Sequence, residues 1–275
     1  MWNRIQQGND LLLCLTPEEL NLADTLDCGQ SFRFVRQAEG ITGIAHGRRL
    51  TARQDENGIL FENMTEEDFE QIWADYFDLS RDYDALKTSF CEDAALKKAI
   101  AYAPGIRVLR QESFETLISF LISQNNNIPR IKGSIERLCR KFGDPIGNED
   151  FSFPGAERLA RLEKADLADL GLGYRDEYIL DCARRVTDGR LDLSEVEKME
   201  PEQAREALRT VKGVGPKVAE CALLFGFCQT AAFPIDTWMK KVLANYYPGG
   251  FPEKYRSVAG IAQQYLFHYI RTCRE

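Results

Sequence analysis

The alternation of apolar and polar positions changes period once along this chain. Between Gln30 and Met64 it runs near two. The segments SFRFVR, GITGIAHG, RRLTAR and ILFENM are parted by turn residues such as DENG. This pattern predicts an antiparallel meander of short strands, with Phe32 and Phe34 on one strand face and Ile59 and Phe61 on another. Thr65-Glu66-Glu67-Asp68 reads as an acidic helix start. From Asp82 the period is helical, with Leu86, Phe90, Leu96 and Ile100 recurring near 3.6. Pro104-Gly105 then breaks the chain. The reading is an α+β fold. An N-terminal antiparallel sheet domain with flanking helices (1–103) packs against a larger all-helical region (104–275).

The second region carries the chemistry. Residues 112–123 are strongly apolar (Phe114, Leu117, Ile118, Phe120, Leu121, Ile122) and predict a central buried helix. Four amides, Gln124-Asn125-Asn126-Asn127, end it. They are either a solvated cap or a hydrogen-bonding platform. Residues 128–142 form an amphipathic basic helix that includes Arg130. Helices follow over 156–170 and 176–188, separated by Gly171-Leu172-Gly173-Tyr174-Arg175, a turn that presents an aromatic and a guanidinium. The stretch from about 204 to 226 reads as helix, tight turn, helix. The turn is Gly213-Val214-Gly215, and Pro216 suits the first turn of the second helix. Unpaired N–H groups at a helix start bind anions, and two glycines let a phosphate approach. Further helices are predicted at 237–246 and 255–273.

Lys217 stands in the first turn of that buried helix. The positive pole of the helix disfavours an ammonium there, and a neutral amine is a nucleophile able to form a Schiff base. Cys221 lies four residues on, on the same face. Asp236, after Phe233-Pro234-Ile235, is placed to cap the next helix and to serve as a carboxylate partner.

These residues carry a resemblance. G-V-G-x-K followed by P-I-D resembles the helix-hairpin-helix–Gly/Pro–Asp signature of DNA glycosylases. CGQSFRF from Cys28, SQNNNIPRIKG from Ser123, LGLGYR from Leu170 and AQQYLF from Ala262 narrow it to the 8-oxoguanine DNA glycosylase/AP lyases. The resemblance implies excision of 8-oxoguanine, preferably opposite cytosine, by base flipping. Strand cleavage by β-elimination through a lysine Schiff base would follow. It implies catalytic roles for Lys217 and Asp236 and a phosphate-binding hairpin at Gly213, Val214 and Gly215. Lesion contacts fall to Gly29, Cys221, Gln263 and Phe267. The wedge and the opposite base fall to Asn125, Arg130, Tyr174 and Arg175. The chain departs from the family pattern at Trp238, where a histidine is common, and at Ile270, where an acidic residue is. Two rivals are a water-using alkylpurine glycosylase, which has no use for Lys217, and a non-enzymatic hairpin module, which needs neither Lys217 nor Asp236.

Charge qualifies the expected DNA partner. The net charge of the 275 residues is -8. Met1 to Ala103 carry 10 Lys and Arg against 19 Asp and Glu; the rest carry 25 against 24. A DNA contact must therefore use local basic patches and backbone amides. The eight cysteines show no C-x-x-C spacing, and there are two histidines. No cofactor and no metal are expected. LLLCL (Leu11 to Leu15) is too short for a signal core, and no stretch is long enough to span a membrane. The expectation is an intracellular, cytoplasmic monomer, associated with the nucleoid if bacterial.

Overall fold

The computed structural model describes residues 2–273. A first hairpin, β1 (Asn3–Gln7) and β2 (Asp10–Cys14), precedes a short helix, α1 (Leu22–Leu26). Strands β3 (Phe34–Gln37), β4 (Gly40–Ala45), β5 (Arg48–Gln54) and β6 (Ile59–Phe61) follow. All six form one antiparallel sheet in the order β1-β2-β6-β5-β4-β3. The meander read from the sequence is β3 to β6. The hairpin β1–β2 is additional. Its apolar run hides the period of two, yet Leu11 and Leu13 are fully buried while Leu12 is only half-buried. Leu11 pairs with Phe61 and Leu13 with Ile59, which joins β2 to the meander through a shared inner face.

Two helical pieces, α2 (Glu66–Asp68) and α3 (Ala74–Tyr76), are joined by a wider π-helical turn, Phe69–Trp73. Phe69, Trp73 and Phe77 are turned into the core, with Phe61 5.3 Å from Phe69 and 6.2 Å from Phe77 between ring centroids. The predicted helical run after Asp82 is two helices, α4 (Tyr83–Phe90) and α5 (Ala94–Tyr102). Asp93 interrupts it and caps α5 by accepting from the backbone N–H groups of Ala95 and Leu96. In this position a capping side chain outweighs an unbroken apolar period.

The helical region holds α6 (Ser113–Ser123), α7 (Ile128–Phe142), a two-stranded hairpin β7 (Pro145–Gly147) with β8 (Asp150–Phe151), and α8 (Ala156–Ala160). It continues through α9 (Asp176–Thr187), α10 (Leu193–Lys198), α11 (Pro201–Arg209) and α12 (Pro216–Gly226). It ends with α13 (Thr237–Tyr246) and α14 (Ala259–Thr272). The single helix expected over 156–170 is α8 plus a separate 3-10 turn, Lys164–Leu170, which starts on a Glu163–Asp166 capping box and stops at Gly171 in the left-handed region. Residues 255–258, read as the start of the last helix, belong to a 3-10 turn, Glu253–Val258, that leads into α14.

Contacts group the chain into two compact units that interleave along the sequence. One runs up to Gly43, from Leu50 to Arg110, and from Ile235 on. The other comprises Ile44–Arg49 and Gln111–Pro234. The cut expected after Ala103 lies a few residues before the junction at Arg110, and the chain also passes between the units at Gly43, Arg49 and Pro234. In the first unit α14 packs on α5 and α13, and Ala259 to Leu266 are buried throughout. In the second unit α6 packs along α12, and both helices bury most of their residues. Among the described residues no helix is long and apolar enough to cross a membrane.

Candidate functional site

The hairpin between α11 and α12 is built as its residues dictate. Gly213 sits at φ +86°, and a Cβ there would run into the ring of Tyr178. Both the left-handed backbone and the close approach require glycine. Gly215 is different. It precedes α12 with an ordinary φ of -89°, and a Cβ on it would meet nothing within 4 Å. It leaves open space in front of a helix start that no side chain caps. Val214 is buried and anchors the turn. Backbone N–H groups at such a start suit an anion.

Lys217 is half-buried in the first turn of α12, its Nζ 4.9 Å from the ring centroid of Phe120. Phe120 stacks on Phe225 at 5.5 Å and 15°. The half-buried Lys217 side chain therefore ends with its Nζ over an aromatic floor. Cys221, one turn further, is buried on the same face of α12.

Glu220 was not singled out by the sequence. Its carboxylate pairs with Arg205 of α11 and accepts from the backbone N–H of Phe233 at 2.6 Å. It thereby ties the hairpin's two helices to the segment leading into Pro234. Removing it leaves a partly buried guanidinium and an N–H without this acceptor. Glu220→Ala is expected to cost about 1–3 kcal/mol of stability, read by denaturant unfolding. A change under about 0.5 kcal/mol would show that the tie contributes nothing.

A second cluster in the same unit surrounds Asn125. This residue is exposed and takes a left-handed φ of 49°. Arg175, buried, donates from Nη2 to the Asn125 carbonyl at 3.1 Å, from Nε to the Gln124 carbonyl at 2.9 Å and from Nη1 to the Leu172 carbonyl at 3.0 Å. Its guanidinium also lies 4.6 Å from the ring centroid of Tyr174, which is half exposed. The structure thus gathers Asn125, Tyr174 and Arg175 and gives Arg175 the task of fixing the turn that presents Asn125. Arg130 is exposed in the first turn of α7, whose cap, Asn127, accepts from the Arg130 N–H.

The third cluster lies in the other unit. Gly29 has φ +87°. Its neighbours are bolted down. The Cys28 thiol accepts from Gln264 Nε2 at 2.8 Å, and burial pushes its pKa up to about 11. Gln30 Nε2 donates to the carbonyls of Thr25 and Arg107, both at 2.8 Å, and its Oε1 accepts from the Leu109 N–H at 2.9 Å. A Cβ on Gly29 would stand 3.7 Å from the Phe267 ring and 3.0 Å from Arg271 Nη1. Gln263 is buried on α14, and its Oε1 finds no partner among the described residues. Sequence reasoning missed Gln264, Gln30 and Arg271. The first two are buried amides in otherwise apolar surroundings, and that is the signal that could have found them.

Asp236 accepts from the N–H groups of Trp238 and Met239 at 3.0 and 2.9 Å, so it caps α13 as expected. Trp238 is exposed beside it, with Lys241 Nζ 4.7 Å from its ring centroid. Among the described residues no three His, Cys, Asp or Glu side chains converge to hold a metal, and no disulfide forms.

Comparisons with known proteins cover the chain from residue 12 to residue 265 with two family models. Residues 12–117 match the family model of the 8-oxoguanine DNA glycosylase N-terminal domain. Residues 118–265 match that of the HhH-GPD superfamily of base excision DNA repair proteins. The N-glycosylase/DNA lyase of Saccharomyces cerevisiae is 33% identical over 86% of this chain and 70% of its own length. N-glycosylase/DNA lyase OGG1 of Arabidopsis thaliana is 31% identical over 93% of this chain and 78% of its own. Among solved structures, the 8-oxoguanine glycosylase/lyase of Clostridium acetobutylicum superposes with a TM-score of 0.89 at 35% identity. The match covers 98% of this chain and 97% of that one. That protein was solved in complex with double-stranded DNA containing cytosine opposite 8-oxoguanine.

Proposed function

This chain belongs to the HhH-GPD superfamily of base excision DNA repair proteins, as a member of its 8-oxoguanine glycosylase/AP lyase branch, and from that premise we propose how it works. It flips 8-oxoguanine out of duplex DNA, releases the base and cleaves the strand at the resulting abasic site. Flipping is needed because the sugar carbon under attack is inaccessible in the stacked duplex.

The Lys217 amine attacks C1′ as the bond from C1′ to the base breaks. The Asp236 carboxylate stabilises positive charge developing on the sugar and relays protons. The aminal so formed opens by breaking the C1′–O4′ bond as a proton passes from nitrogen to O4′. The resulting Schiff base acidifies the neighbouring C2′ position, and β-elimination expels the 3′ phosphate. Gly213, Val214 and Gly215 take a backbone phosphate on their N–H groups. The Gly29 carbonyl accepts from N7–H, which 8-oxoguanine has and guanine lacks. Cys221 and Phe267 cover the two faces of the base, and Gln263 meets its pairing edge. Asn125 fills the vacated place, Tyr174 wedges into the stack, and Arg130 and Arg175 hold the cytosine left behind.

The observation that carries this reading is a half-buried lysine in the first turn of an uncapped hairpin helix. The decisive experiment is incubation with an 8-oxoguanine duplex and borohydride. A covalent adduct is expected. Base release without an adduct would point to a water-using glycosylase, and binding without release to a non-enzymatic hairpin module.

The opposite base offers a second test. Arg130 is exposed, whereas the Arg175 donors already serve backbone carbonyls. Discrimination should therefore depend more on Arg130. Excision opposite cytosine should exceed that opposite adenine, and Arg130→Ala should lower this preference by about 1–3 kcal/mol. The check is single-turnover rates opposite all four bases. A uniform loss with a shallower salt slope would make Arg130 a phosphate contact instead.

A further inference from the structure

Gln263, Phe267 and Arg271 recur every fourth residue and form one stripe along α14. Successive members are about 6 Å apart along the axis. The stripe offers an amide, a ring and a guanidinium in that order. Gln263 Oε1 is buried without a partner among the described residues, an acceptor that a ligand donor would satisfy. At the other end, Arg271 lies beside Gly29. Its Nη1 stands 3.0 Å from where a Gly29 Cβ would be, and its Cζ is 5.7 Å from the Phe267 ring centroid. It is half-buried, and its Nη2 reaches the Asp27 carbonyl only at 3.5 Å, the limit of a hydrogen bond.

A purine is a flat plate with its pairing edge at one end and C8 at the other. With the pairing edge on Gln263 and one face on Phe267, the opposite end points toward Gly29 and Arg271. 8-Oxoguanine differs from guanine there at two adjacent positions, a donor at N7 and an acceptor at C8. A backbone carbonyl can satisfy the first. It cannot satisfy the second, which needs a donor. We propose that Arg271 is a specificity-determining residue that donates to the C8 oxygen of 8-oxoguanine, beside the Gly29 carbonyl. The inference rests on the reading of Gly29 and Phe267 as lesion contacts. A charge-assisted bond to an atom that guanine lacks adds discrimination that one neutral bond at N7 does not supply.

The test compares the parent with Arg271→Leu, Arg271→Gln and Arg271→Lys. Single-turnover excision is measured for 8-oxoguanine and for 8-thioguanine, which keeps N7–H but replaces the oxygen by a weak sulfur acceptor. Cleavage of a preformed abasic site and the unfolding midpoint are measured alongside. Arg271→Leu and Arg271→Gln should lose about 10–100-fold on 8-oxoguanine and far less on the abasic site, with the midpoint held. Arg271→Lys should recover part of the loss. The parent's preference for the oxo over the thio base should shrink in the Leu and Gln variants. Unchanged excision by both, or equal losses on base and abasic substrates, overturns the proposal while leaving the enzyme's function intact. A parent that excises no 8-oxoguanine overturns the functional reading itself.

Discussion

Lys217→Gln is expected to abolish borohydride trapping and to reduce base excision by about 10³-fold or more, the scale on which enzymes lose rate when a nucleophile is removed. Duplex affinity should hold. The expectation follows from where the lysine sits. Its Nζ lies over the Phe120 ring in the first turn of a helix packed along α6, and glutamine keeps the polar, unbranched character of the position. The Gly213-Val214-Gly215 turn owes its form to Tyr178 and to the buried Val214, not to the amine. What glutamine removes is the nitrogen lone pair that forms the covalent intermediate. Trapping assays and equilibrium binding on one protein preparation separate the two effects. A variant that still gives the adduct would move the nucleophile elsewhere.

Gly29→Ala should reduce 8-oxoguanine excision about 10–100-fold and cost cleavage of a preformed abasic site much less. Alanine at φ +87° is strained by roughly 1–2 kcal/mol. Its Cβ also presses on Arg271 Nη1 at 3.0 Å. A free loop would relax around such a change, but this one is held on both sides. Cys28 is bound to Gln264, and Gln30 bridges Thr25, Arg107 and Leu109. The adjustment must fall on Gly29 itself, and so on the direction of its carbonyl. An abasic substrate has no base for that carbonyl to meet. Single-turnover rates on the two substrates give the comparison, and equal losses on both would remove Gly29 from lesion recognition.

Most of this site was legible because its parts are local. Gly-Val-Gly-Pro-Lys is a turn and a helix start within five residues. Lys217 and Cys221 share a face by helical spacing alone, and Asp236 caps the helix that begins one residue later. The strands β3 to β6 were legible for the same reason, since alternation and turn residues are written into each segment. The pair β1–β2 was not, because a run of leucines gives no period. Its alternation appears only when Leu11 and Leu13 meet β6.

The sequence by itself determined the family and the α+β class, and it placed the hairpin and the α13 cap, which depend on residues within a turn or two of one another. Tertiary structure alone decided the rest. It gave the Arg175 donors to the carbonyls of Gln124, Asn125 and Leu172, about fifty residues away in two of the three cases. It set Gln264 against Cys28 and brought Arg271 beside Gly29, across more than two hundred residues. The physical reason is common to all three. A long polar side chain carries many equivalent donors, and which acceptor it takes depends on packing that brings distant segments together. No pattern of neighbours along the chain encodes that choice.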